Sequence, residues 1–209
     1  MAEGETVKAS AARCAVAVST VFRWRHLFLA AARGGSGVLE GIVEADETYV
    51  LESRKGARKL GRKARRRGGT AKKRGLSREQ VPVLMAADHG GTTFSALLPT
   101  VDATALTAAL EPVVAKDALL VSDGGTSYPP CAVALGVSHE TLNRSRGERV
   151  RGDLHIQTVN SRHSRLKDSL RPRRGGATCY LSNYLSWFHL AGLAPGANDQ
   201  ACLAAALTP

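Results

Sequence analysis

The chain has 209 residues, enough for one sizeable domain and a small appendage. It is 44 % hydrophobic but only 5 % aromatic, so its core must be built mainly from Ala, Val and Leu. The net charge of +11 points to a polyanionic partner, and no apolar run approaches the ~18 residues of a membrane span.

The charge is local. Residues 53–78 hold thirteen Lys and Arg and no acid, and removing these thirteen from 29 leaves 16 bases against 18 acids. Of the four cysteines, Cys14, Cys131, Cys179 and Cys202, none forms a C-x-x-C pair, which argues against a zinc ribbon or a redox motif. A reducing compartment fits this spacing. The start, MAEGETVKAS, has no signal pattern, so a cytoplasmic protein is expected.

Residues 7–14 read as a short helix, with a break at 15–18. Ser19 and Thr20 then look like the cap of a second helix, VFRWRHLFLAAA. Such a helix-turn-helix places Arg23 and Arg25 where they could enter a major groove. The plainer alternative is an amphipathic pair with Val21, Phe22, Trp24, Leu27 and Phe28 as its core. Gly34–Gly37 reads as a linker.

Residues 38–50 predict a strand from their β-branched content. The basic stretch that follows has no apolar periodicity and much Gly, and reads as a mobile loop over 53–79. Arg62, Lys63, Arg65, Arg66, Arg67, Lys72, Lys73 and Arg74 are its candidate DNA-contacting residues. Val81–Ala87 and Thr93–Leu98 predict a hairpin around His89-Gly90-Gly91. A helix starting at Asp102 or Thr104 should bury Leu106 and Leu110, with Val113 and Val114 on the same face. Ala118–Ser122 predicts an apolar strand. A short helix over 128–136, broken at Pro129-Pro130, and a strand at 137–142 follow. Helices are expected over about 156–170 and 183–194, before an Ala-rich tail at 195–209.

Two carboxylates stand out. Asp46 lies within the first strand, and Asp123 ends the apolar strand ALLVSD. A charge in a buried strand is costly unless it is paired or bound to a metal. If the two strands are neighbours, the carboxylates converge at one sheet edge and could hold Mg²⁺, which prefers oxygen ligands. Asp123-Gly124-Gly125 is equally a good turn. Asn160, His163 and Lys167, spaced three and then four apart, line one face of a helix, with Arg162 and Arg165 elsewhere on it, where they could reach the backbone phosphates of DNA. A solvated basic helix would look the same. Glu44 shares Asp46's side of its strand and is a candidate supporting acid. Glu47 points to the opposite side. Asp88 reads as a turn residue and His139 as structural, while Tyr180, Tyr184, Trp187 and Phe188 read as core.

The strings GIVEADETYV, LLVSDGGTSY, HIQTVNSRHSRLKDSL and GGATCYLSNYLSWFHL, in this order, resemble the ISXO-type insertion-sequence transposases of the DDE superfamily. The resemblance runs from about residue 6 to residue 192. It implies a ribonuclease-H-like α/β fold, a mixed sheet flanked by helices, over residues 38–194, with a helix-turn-helix remnant at 1–33. It implies that Asp46, Asp123 and Asn160 hold two Mg²⁺ or Mn²⁺ ions, and that Lys167 assists by contacting the DNA end. The expected activity is metal-dependent cleavage at element ends and strand transfer into target DNA. The expected partner is double-stranded DNA, bound by a homo-oligomer in the bacterial nucleoid, with no membrane role. Family members carry a cysteine zinc ribbon ahead of the helix-turn-helix. This chain starts too late for one, so either a misassigned start codon or a decayed, N-terminally truncated copy is expected. A nuclease on the same fold, or a DNA-binding protein with an inert site, are the alternative readings.

Overall fold

The computed structural model describes residues 5–31, 37–63, 65, 69–73, 75–142, 147–173 and 176–191. The chain divides into two compact units, one of residues 36–177 and one joining residues 1–35 to 178–209.

The larger unit is built on a five-stranded sheet. Its strands are β1 (Ile42–Leu51), β2 (Gln80–Asp88), β3 (Thr93–Leu97), β4 (Leu119–Ser122) and β5 (Ser138–Thr141). Their spatial order is β3-β2-β1-β4-β5. β2 runs antiparallel to both neighbours, while β1, β4 and β5 run parallel. With helices on its faces, this is the ribonuclease-H-like layout expected from the sequence. Parallel β1 and β4 are interior strands of the sheet, and β4, covered on both faces, reads as an apolar run.

Alternation along β1 sends its residues to two different layers. Val43 and Ala45 pack with Leu106 and Leu110 of α3 (Ala103–Leu110) and with Tyr128, Cys131 and Leu135 of α4 (Tyr128–Leu135). Asp102 caps α3, its carboxylate accepting from the Ala105 N–H at 2.9 Å. The opposite face carries α5 (Gln157–Leu170), which packs on β1 and β2. Ile156, at its entry, is buried with Val121 and Leu142. A two-stranded hairpin of β6 (Val150–Arg151) and β7 (Leu154–His155) precedes α5, and the sequence gives no sign of it.

Two expectations are corrected. The Pro129-Pro130 pair does not break its helix. The prolines sit in the first turn of α4, where a missing N–H costs nothing, and Gly136 closes the helix at φ 71°. The basic stretch is not a free loop throughout. Arg54 pairs with Glu52 at 2.9 Å, Arg65 donates to the Glu52 carbonyl at 2.7 Å and approaches Glu79 at 3.5 Å, and the Lys72 N–H donates to Glu79 at 2.9 Å. The two acids at the strand ends thus gather the described part of the excursion. Arg66, Arg67 and Arg74 lie outside the described residues. α6 (Leu181–Ala191) is grouped by its contacts with the smaller unit.

In that smaller unit α1 (Val7–Arg13) and α2 (Val18–Ala31) flank the expected turn, α2 starting earlier than the Ser19-Thr20 cap. α2 packs on α6. Its buried face is Val21, Arg25, His26 and Leu29, whereas Phe22, Trp24 and Leu27 are exposed. Among the described residues, no helix is long and apolar enough to cross a membrane.

Candidate active site

The pairing of β1 with β4 sets Val43 beside Leu120 and Glu44 beside Val121. Two residues further along the same register, Asp46 comes beside Asp123, which follows the last residue of β4. The two strands are neighbours, as a shared site requires, and both carboxylates are half-buried. Their joint field reaches nearby groups. Burial, and then Glu47, Asp46 and Asp123, raise the pKa of Tyr49. Tyr128 is raised well above its usual value by burial and by the same three acids. Negative charge is concentrated here, as a cation site requires.

α5 is fastened against this part of β1. The Val159 N–H donates to Glu44 Oε2 at 3.0 Å, and His163 Nδ1 lies 3.8 Å from Asp46 Oδ2. Burial, and then Lys167, push the His163 pKa down to about 4, so the ring faces Asp46 as a neutral imidazole. Its Nε2 is buried without a hydrogen-bond partner. Asn160 lies on the same helical face. Its Nδ2 donates to the Ile156 carbonyl at 2.8 Å, which leaves its Oδ1 as the atom it can offer a ligand. Lys167 and Arg165 are exposed, and Arg162 is half-buried.

The family model for the ISXO2-like transposase domain matches residues 38–189. The chain belongs to this family. A relative described as an uncharacterized protein in transposable element ISH50, from Halobacterium salinarum, is 32 % identical over 178 residues. The match covers 84 % of this chain and 60 % of the relative, so the chain spans about 60 % of that protein's length. Solved structures of a pre-cleavage Mos1 transpososome and of a Mos1 mariner paired-end complex with Mn are similar at TM-scores of 0.30 and 0.31, with 13 % and 14 % identity. Those matches cover 98 % and 99 % of this chain and 75 % and 76 % of theirs, a likeness too slight to transfer any residue role.

Within this ISXO2-like domain, the remaining sequence candidates fall as follows. Glu47 turns away from Asp46 and accepts from the Tyr128 hydroxyl at 2.6 Å. Its pKa is raised, first by burial. Asp88 is a turn residue, accepting from the Thr92 N–H at 2.8 Å. His139 bonds Ser122 Oγ at 3.0 Å. In the small helical unit, Arg25 does not line a free groove-facing surface. It is buried and donates to the Glu5 carbonyl at 2.8 Å, with its guanidinium 5.3 Å from the Trp187 ring centre. Arg23 is exposed.

Sequence reasoning missed one constellation. Among the described residues, the acid and histidine side chains whose ligand atoms gather within 4.8 Å of one another are Glu44, His89 and His155. Glu44 was legible as the supporting acid on Asp46's side. The two histidines come from segments whose proximity only the fold reveals.

Proposed function

We propose that this chain is the catalytic part of an insertion-sequence DNA transposase that cleaves element ends and joins them to target DNA. The observation that supports it most is the placement of Asp46 beside Asp123 on neighbouring central strands, with the Asn160–Lys167 face of α5 fastened alongside. Family membership implies a divalent cation, and the donors suit one: two carboxylates and an amide oxygen are the hard oxygen set that Mg²⁺ or Mn²⁺ takes. Asp46, Asp123 and Asn160 would hold it. When bound, two such ions would polarise the scissile phosphate and favour both the attacking and the leaving oxygen.

The chain's own residues do the rest. Lys167 and Arg165 reach solvent from α5 and hold the backbone phosphates of the DNA end, which positions without reading sequence. Neutral His163 packs against Asp46 without bringing a second positive charge to the carboxylate. In the first reaction water attacks a phosphodiester and leaves a free 3′-OH. In the second, that 3′-OH attacks a target phosphodiester and displaces a target 3′ oxygen. Both are in-line displacements at phosphorus, so one site serves both. The basic excursion after β1 neutralises flanking or target DNA, and Arg23 contacts DNA from the small helical unit. A homo-oligomer on double-stranded DNA completes the proposal.

Single-turnover cleavage of DNA carrying the element's ends, with Mg²⁺, tests it. Asp46→Asn and Asp123→Asn should each abolish cleavage while DNA binding persists. Normal cleavage by Asp46→Asn removes the proposal. Pre-cut 3′-OH ends then separate a transposase from a nuclease, because only the former joins them to a target.

A further inference from the structure

We propose that Glu44, His89 and His155 form a second cation site, suited to a zinc-class transition metal, distinct in donors and residues from the Asp46–Asp123–Asn160 set. It does not rest on the transposase reading.

Glu44 is wholly buried in the central strand β1. A carboxylate there requires compensation from close donors or a cation. Its Oε2 is occupied by the Val159 N–H at 3.0 Å. Its Oε1 faces two imidazoles, with His89 Nε2 at 3.2 Å and His155 Nδ1 at 2.9 Å. Two ring nitrogens therefore converge on one oxygen.

These separations match a coordination polyhedron. Ligands about 2.0–2.1 Å from a tetrahedral ion lie about 3.3 Å from one another. One detail separates this arrangement from a plain hydrogen-bond network. His155 Nδ1 is buried and makes no aligned hydrogen bond, although Glu44 Oε1 is 2.9 Å away. A nitrogen that close and unaligned is directing its lone pair at a point beside the oxygen, as a ligand does. The two ring nitrogens and Glu44 Oε1 all lie within 4.8 Å of one another, close enough to share one ion.

Two imidazole nitrogens and one carboxylate oxygen suit Zn²⁺ and its neighbours rather than Mg²⁺. The histidine side chains keep 33 % and 30 % of their surface exposed, so the site lies close to solvent. The three ligands come from β1, the turn after β2, and β7 at the entry to α5. A bound ion would therefore clamp the start of α5 to the sheet, five residues before Asn160.

Tag-free full chain, stripped with chelator, would be titrated with Zn²⁺ against a chromophoric competitor, and separately with Co²⁺. One Zn²⁺ should bind, and Co²⁺ should give the intense visible absorption of a low-coordinate, nitrogen-bound ion. His89→Ala lies in an exposed turn and should keep its circular dichroism. It and His155→Ala should each weaken Zn²⁺ binding at least about tenfold, at the lower edge of what losing even a ligand-supporting partner costs. Asp123→Asn should leave both signals intact. The site is refuted if His89→Ala binds Zn²⁺ as tightly as the parent, or if the parent's Co²⁺ spectrum is the weak one of an all-oxygen ion. DNA cleavage is a separate readout, so failure here leaves the transposase proposal standing.

Discussion

The backbone N–H of Val159 is hydrogen-bonded to the Glu44 carboxylate at 3.0 Å, although 115 positions separate them in the chain. The bond satisfies an N–H in the first turn of α5 that no helical carbonyl can reach. It also fixes how far along β1 the helix sits. Replacing Glu44 with Ala strands that N–H and opens a cavity, at a cost of roughly 2–4 kcal/mol. Glu44→Gln keeps an acceptor oxygen and should cost less. Urea unfolding of both variants decides this, and equal stability of Glu44→Ala and the parent would refute it.

The Tyr128 hydroxyl is buried and donates to Glu47 at 2.6 Å. Tyr128→Phe leaves the packing of α4 against the sheet but takes away a partner of a carboxylate that burial already disfavours. The expected loss is about 1–3 kcal/mol, the usual penalty for a buried polar group deprived of its bond. The double variant Tyr128→Phe, Glu47→Leu should recover part of it, which a thermodynamic cycle would detect.

Arg23 and Arg25 are two residues apart on α2 and should behave oppositely. Arg25→Ala removes a buried guanidinium with a carbonyl partner and an aromatic neighbour, so the melting temperature should fall. Arg23→Ala should change stability by no more than about 0.5 kcal/mol, as exposed positions do. If Arg23 contacts DNA, its loss appears only in the binding isotherm.

Within the basic excursion, Arg58, Lys59, Lys63, Lys72 and Lys73 are exposed, whereas Arg62 and Arg65 sit near Glu52 and Glu79. Replacing these five with Ala should flatten the plot of log affinity against log salt, by about 0.9 for each phosphate no longer neutralised. An unchanged slope would show that these five side chains do not contact DNA phosphates.

His26 gives the small unit a pH dependence. The Asn183 amide nitrogen lies 3.0 Å from its Nδ1 and also donates to the His26 carbonyl at 3.2 Å. A donor facing Nδ1 requires a neutral ring. Burial, and then Arg25, lower the His26 pKa from its ordinary 6.5. The folded chain thus binds this proton less readily than the unfolded chain. Its stabilising effect is complete above pH 6.5 and declines as the pH falls below that value. Both tryptophans, Trp24 and Trp187, lie in this unit. Their fluorescence should report the acid transition, and Asn183→Asp, which offers the charged ring an acceptor, should move it to lower pH.

Much of the larger unit was legible because its elements obey simple periods. The β-branched run of β1, the apolar β4 and the three-and-four spacing of Asn160, His163 and Lys167 each announce a shape. Expectations failed where position outweighed residue type. Pro129 and Pro130 read as breakers but occupy the one helical turn that tolerates them. The basic excursion reads as unstructured from its own composition, yet Glu52 and Glu79 at the flanking strand ends hold it. His89 and His155 stayed silent because their relation to Glu44 depends on strand order and on a hairpin too short to leave a pattern.

β1 carries different duties on its two sides: Val43, Ala45 and Glu47 toward α3 and α4, Glu44 and Asp46 toward α5. A single residue inserted or deleted within it would exchange those sides and move every acid to the wrong layer. Natural length variation among relatives should therefore spare this strand and collect in the excursion that begins two residues beyond it.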